Sequence, residues 1–155
     1  MATALGVEFG AVYDSSAVVP DGTALPEVGD PYSDYVPTAR PGCRAPHAWL
    51  GRGDASLSTL DLFGPGFTVL TGSRGAGWRD VARRTSSDFD APVTCYAIGD
   101  PGLEDRDRVF FDRFGIDEDG AVLVRPDGYV GWRSPHAGDE HRVRQAVGRI
   151  LSREV

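Results

Sequence analysis

The clearest periodicity lies near the C-terminal end. In "DEHRVRQAVGRILSREV", Val143, Ala146, Val147, Ile150 and Leu151 recur at i, i+3, i+4, i+7 and i+8, the apolar stripe of an amphipathic helix. Asp139 and Glu140 stand at its positive end and Arg149 and Arg153 near its negative end, where the helix dipole favours each charge. Upstream, "FTVLTG" (Phe67 to Gly72) predicts a strand of β-branched and aromatic residues closed by glycine. "GWRDVARRTSS" then sets Trp78, Val81, Ala82 and Thr85 at helical spacing. "PVTCYAIG" (Pro92 to Gly99) is almost continuously apolar, the pattern of a buried central strand. "LEDRDRVFFDRFG" predicts a short helix with Phe110 and Phe114 on one face and Gly115 as its stop. "AVLVRPDGYVGW" reads as two strands around a Pro126-Asp127-Gly128 turn.

The predicted order is β-α-β-α-β-β-α, preceded by "SLSTLDLFG", a short apolar stretch closed by Gly64. Two strands with helical crossovers, then a hairpin and a closing helix, is the order of a thioredoxin-like α/β domain. Its first three elements would form a parallel βαβ unit. Residues 1–40 differ. Pro20, Pro26, Pro31 and Pro37 each fix φ and remove a donor, so this stretch is expected to be an irregular, proline-rich connecting arm. Only Ala11 to Val19 could pair there as a strand. The expected division is therefore an arm over 1–40 and a thioredoxin-like domain over 41–155.

Between the two lies "TARPGCRAPHAWL" (Thr38 to Leu50), which fits neither a helical period nor a strand alternation. It combines arginine, histidine, cysteine and tryptophan, and a segment so rich in specific side chains needs a reason.

Composition narrows the choices. The 155 residues suit one domain with a real core, and 41% of them are apolar. All 16 basic residues are arginines, and the net charge is −7. A chain so acidic lacks the basic face that a nucleic-acid backbone requires, and without lysine it has no Schiff-base or P-loop lysine. No apolar run is long enough for a membrane span, and the N-terminus lacks the pattern of a secretory signal, so a cytoplasmic location is expected. The two cysteines, Cys43 and Cys95, are far apart. Cys95 sits in an apolar strand pattern and is expected to be buried and inert; Cys43, in the irregular segment, is open to exposure.

A redox thioredoxin carries CxxC where its first core strand meets the next helix, so that the helix N-terminus lowers a thiol pKa. Here that position reads "LTGSRGAGW" (Leu70 to Trp78), without cysteine. The proline that precedes the hairpin in such folds is also missing from "IDEDGAVLV". The same loop invites a nucleotide reading, but Gly72, Gly75 and Gly77 are spaced GxxGxG rather than GxGxxG. His136 and His141 flank Asp139 and Glu140, which the sequence explains more simply as a polar helix start than as a metal site.

"YVPTARPGCRAPHAWL" followed by "SLSTLDLFGPGFTVLTG" resembles the C-terminal region of FAD-dependent aromatic-ring hydroxylases, the phenol hydroxylase and polyketide hydroxylase-like flavoprotein monooxygenases. The resemblance rests on Pro41, Gly42, Arg44, Ala45, Pro46, His47 and Leu50, then Asp61, Leu62, Phe63, Gly64, Gly66, Phe67 and Leu70, and later on Leu123, Arg125, Pro126, Asp127, Gly128 and Trp132. It covers roughly residues 7 to 150.

The resemblance implies a thioredoxin-like domain without redox cysteines that follows FAD-binding and substrate-binding domains. The whole enzyme would use FAD and NAD(P)H to place one oxygen atom of O2 on a phenolic ring. For this chain it implies an accessory docking or dimerisation role, with those two domains as partners, a homodimer allowed, and no catalytic, cofactor or metal residue of its own. Arg44, His47 and Trp49 are the expected domain-docking residues. A reading from another class remains beside it: a stand-alone thioredoxin-like protein with a non-thiol site near Gly72 to Trp78.

Overall fold

The computed structural model describes residues 4–153. A short helix, α1 (Leu5–Phe9), opens an otherwise irregular run to residue 48. A hairpin follows, β1 (Trp49–Arg52) and β2 (Ala55–Ser58), and then a 3₁₀ turn over Thr59–Leu62. Next come β3 (Phe67–Gly72), α2 (Ala76–Phe89), β4 (Val93–Ile98), α3 (Val109–Phe114), β5 (Ala121–Val124), β6 (Val130–Ser134) and α4 (Glu140–Ile150). The protein is thus mixed α/β, and from residue 67 its elements run in the order read from the sequence.

Strands β3 to β6 form one sheet in the order β4-β3-β5-β6. β3 pairs parallel with β4 and antiparallel with β5, and β5 and β6 form an antiparallel hairpin. The two central strands are buried at every position. That explains why neither alternates: each face of the sheet is covered, so both side-chain sets must be apolar. On one face Val69, Leu123 and Trp132 meet α2 and α4 through Trp78, Ala82, Val143 and Val147. On the other, Leu70, Val122, Val124 and Val130 meet Phe110 and Phe114 of α3 together with Ala45, Ala48 and Leu50. The stripe of α4 is set as its spacing predicted, with Val143, Ala146 and Val147 buried and Ile150 and Leu151 partly so.

Two expectations are corrected. Pro92 to Gly99 read as a central strand, but β4 lies at the edge of the sheet, with Thr94 exposed and Cys95 and Tyr96 only partly covered. Its apolar residues serve the ends of the strand, where Val93, Ala97 and Ile98 reach the core. Ala11 to Val19 makes no strand; it touches the domain through a bridge between Val12 and Cys43 and a Val19 N–H to Gly131 C=O bond of 2.8 Å. Gly131 is the extra residue of a bulge in β6 that turns this carbonyl outward to the arm.

Candidate functional site

The segment Thr38–Leu50 is an edge cover for the sheet. Gly42 N–H donates to Val130 C=O (2.8 Å), Val130 N–H to Cys43 C=O (2.9 Å), and Ala45 N–H to Gly128 C=O (2.9 Å). Residues 42–45 therefore satisfy the outer edge of the β5–β6 hairpin, a row of groups that would otherwise invite pairing with another chain. The turn into this run needs Gly42, whose φ is +93° and whose absent Cβ would lie 2.4 Å from Tyr13 C=O. Cys43 is buried by this pairing, 7% exposed, and burial raises its thiol pKa despite the nearby Arg40.

The three residues singled out from the sequence do not form one cluster. Arg44 leaves the sheet edge toward the arm, with its guanidinium 5.4 Å from the centre of the Phe9 ring; a cation over an aromatic face stabilises by about 0.5–1 kcal/mol at exposed sites. His47 turns the other way. Its Nδ1 lies 2.7 Å from Ser58 Oγ, and the same hydroxyl accepts the Leu60 N–H at 3.1 Å as the cap of the 3₁₀ turn. The hydroxyl can donate to Nδ1 of the tautomer protonated at Nε2 or accept from Nδ1–H of the other. Next to it, Thr59 Oγ accepts from Ala48 N–H and donates to Pro46 C=O, and Arg113 donates to His47 C=O. The His47 and Trp49 rings meet edge to face, with centroids 4.7 Å apart. Trp49 itself is 64% exposed, the largest apolar side chain left open to solvent among the described residues.

Sequence reading missed the β1–β2 hairpin that carries Trp49, because its strands are only four residues long and neither shows an alternating buried face. It also missed what anchors the arm. Asp21 meets Arg133 of β6 at 2.8 Å (Nε) and 2.5 Å (Nη2), with side chains only 10% and 8% exposed. Arg133 also donates to Phe114 C=O and Thr23 Oγ. Burial alone would raise the Asp21 pKa, but the bonds from the Thr23 hydroxyl and amide and from Arg133 outweigh it, so the carboxyl lies below its ordinary value. Arg125 donates to Ala17 C=O and Arg149 to Ser16 C=O, so three arginines of the domain hold one stretch of arm. Partners more than a hundred residues apart leave no local signal.

The glycine loop before α2 has structural work. A Cβ on Gly72 would lie 2.4 Å from the Glu118 backbone, and one on Gly75 would lie 1.9 Å from Thr71 Oγ. Arg74 N–H donates to Glu118 C=O, Gly75 N–H to Gly72 C=O and Trp78 N–H to Gly75 C=O. Trp78 is fully buried and its Nε1 donates to Asp119 C=O at 2.7 Å. The amides of Arg74, Gly75 and Trp78 are thus bonded within the protein and are not free to cradle a pyrophosphate. Cys95 stands on β4 rather than at that helix, and burial pushes its thiol up to about 12, the opposite of a reactive thiolate. His136 makes a 2.7 Å contact with Asp117, both exposed, near the half-buried Asp119; His141 is exposed on the first turn of α4.

With the edge-covering segment, the hairpin and the closed glycine loop in place, the comparison with known proteins is direct. Residues 38–153 match the family described as aromatic-ring hydroxylase, C-terminal, and the chain belongs to that family.

Two relatives show its range. The chain is 42% identical over 144 residues to tetracenomycin A2 monooxygenase-dioxygenase of Streptomyces glaucescens, a match that takes in 91% of this chain and 25% of the relative. It is 39% identical to phenol 2-monooxygenase of Pseudomonas sp. (strain EST1001), over 84% of this chain and 22% of that one. Among solved structures, the flavin-dependent monooxygenase PieE in complex with FAD and substrate superposes with a TM-score of 0.90 at 41% identity, over 98% of this chain and 27% of its own. A ternary complex of aklavinone-11 hydroxylase with FAD and aklavinone does so with a TM-score of 0.81 at 38% identity, over 96% and 28%. The chain spans about a quarter of the length of the relatives it matches. No helix among the described residues is long and apolar enough to cross a membrane.

Proposed function

We propose that this chain is the accessory, docking part of an FAD- and NAD(P)H-dependent aromatic-ring monooxygenase and performs no chemistry of its own. The observation that carries this reading is the glycine loop: the place where a thioredoxin-like fold would hold its reactive group has no cysteine, and the Arg74 amide, the Trp78 indole N–H and the Thr71 hydroxyl are bonded to the carbonyls of residues 118–120. The sheet order β4-β3-β5-β6 with its parallel and antiparallel pairs supports a thioredoxin-like assignment. The start of the family match at residue 38 supports a division between arm and domain near residue 40. FAD, NAD(P)H and the aromatic substrate then belong to the flavin- and substrate-binding domains of the parent enzyme, which works in the cytoplasm, and a homodimer is compatible with this role.

In this reading Arg44, His47 and Trp49 serve the junction with those domains. Trp49 presents the contact, His47 props its ring, and Arg44 ties the segment to the arm. A large aromatic left open at the surface suits an anchor at an interface. The stand-alone alternative has less support, because the Arg74, Gly75 and Trp78 amides of its loop are bonded within the chain. The test compares two measurements on Trp49→Ala: thermal unfolding of the 155-residue chain, and flavin retention of the complete hydroxylase. Loss of flavin retention with little change in unfolding supports docking; the reverse would leave the segment as a loop that stabilises only itself.

A further inference from the structure

The arm contains a feature that its role as a tether does not require. Its first turn of helix and the turn at residues 30–34 close around a cavity of about 230 Å³ whose walls include Phe9, Val12, Leu25, Val28, Tyr35 and Val36. The cavity is built rather than accidental. Gly6 is buried so tightly that a Cβ would lie 2.1 Å from Pro31 C=O, and the Phe9 and Tyr35 rings pack with centroids 5.7 Å apart. Asp30 fixes the turn by accepting from Tyr32 N–H and Ser33 Oγ, while Asp34 accepts from Asp30 N–H. Around it the arm leaves apolar groups open: seven of the nine exposed large apolar side chains among the described residues lie between Leu5 and Val36. The arm is also acidic. Residues 1–40 hold six carboxylates against one arginine, a net −5 of the chain's −7.

We infer that this cavity is a receptor for an apolar side chain, aromatic or branched, presented by a neutral-to-basic surface of the flavin- and substrate-binding portion of the same hydroxylase. The inference rests on the accessory-domain reading above and adds to it the face that docks. Three observations select this occupant. Small-molecule pockets commonly span about 300–1,000 Å³, so a cavity of about 230 Å³ takes a side chain and excludes a flavin or a polycyclic ring system. Relatives of this chain are about four times its length, so most of the enzyme lies outside it and needs somewhere to rest. Finally, Asp34 lines the cavity and residues 1–40 are net acidic, which orients the encounter toward positive charge and away from a second copy of the same face.

The experiment reads accessibility. A cysteine replaces Leu25 at the cavity, Trp49 on the hairpin, or Arg84 on the outer face of α2, and its alkylation rate by a neutral maleimide is measured in the 155-residue chain and in the complete flavoenzyme. Leu25 is half exposed, so its replacement leaves the core intact; circular dichroism of each variant verifies this. The expected result is that Leu25→Cys reacts about tenfold or more slowly in the flavoenzyme, as a group covered by a stable contact does, while Arg84→Cys reacts equally in both. Equal rates for Leu25→Cys with Trp49→Cys protected would overturn this inference and leave the accessory reading standing. Equal rates for both would overturn the two together. Protection of Leu25→Cys in the short chain that grows with its concentration would assign the face to self-association and overturn the inference as well.

Discussion

Replacing Asp21 with alanine tests how the arm is held. The carboxylate accepts three hydrogen bonds, two from Thr23 and one from Arg133 Nε, Arg133 Nη2 adds an ion-pair contact, and the pair is at most 10% exposed. Removing one partner of a buried ion pair costs about 3–5 kcal/mol, because the other charge is left without compensation. Arg133 keeps Phe114 C=O as an acceptor, and the arm can move aside to admit water, so the expected loss is smaller than for a fully enclosed pair, about 2–4 kcal/mol. For a chain of this size that corresponds to a melting temperature lower by roughly 4–16 °C. Thermal unfolding followed by circular dichroism measures it. The control is Asp88→Ala, which breaks the pair with Arg144, both partners 42% exposed, and should change stability by less than about 1 kcal/mol. The effect also has a sign in pH. Because the folded-state pKa of Asp21 is lowered, its contribution is complete at neutral pH and is lost as the pH falls from about 4 through the lowered value. The difference between wild type and Asp21→Ala should therefore shrink in acid. A loss below about 0.5 kcal/mol at pH 7, or a difference that grows in acid, would refute the claim that this pair clasps the arm.

The glycine loop gives a paired test. Gly75→Ala drives a Cβ into Thr71 Oγ, which itself donates to Gly120 C=O at 2.6 Å, and should destabilise the chain by about 1–3 kcal/mol, whereas Gly77→Ala meets nothing closer than 3.5 Å and should be neutral or stabilising by up to about 1 kcal/mol; denaturant titration reads both. Cys95 should alkylate at pH 8 far more slowly than free cysteine, since its thiol is pushed up to about 12, and the chain should not reduce insulin disulfides. Insulin reduction that disappeared on replacing Cys95 would sink the structural account of that strand.

The sequence made the layered part of the fold legible because its signals are local. The bounds of β3 were read without error, the Pro126-Asp127-Gly128 turn places Gly128 at φ +82°, and Gly115 ends α3 at φ +62°. β4 misled because an edge strand whose ends are buried has the same apolar count as a central one. The candidate site was legible only in outline. Composition identified Thr38–Leu50 as unusual, and the family motif pointed to the right class of protein. Neither could show that Arg44 and His47 diverge, since their directions are set by Phe9 and Ser58 on distant segments. The cavity in the arm has no sequence signal: proline spacing predicts an irregular arm, whereas glycine contacts and Asx turns fold it locally.

We propose that this chain docks to a flavoenzyme and does no chemistry alone. Calorimetric titration of the purified 155-residue chain, first with FAD and then with the flavin-loaded remainder of its hydroxylase, addresses both halves. The account predicts no heat of binding with FAD and saturable one-to-one binding to the flavoprotein, with micromolar or tighter affinity (about −8 kcal/mol or below). Micromolar binding of FAD by the chain itself, or no binding to the flavoprotein, would contradict it.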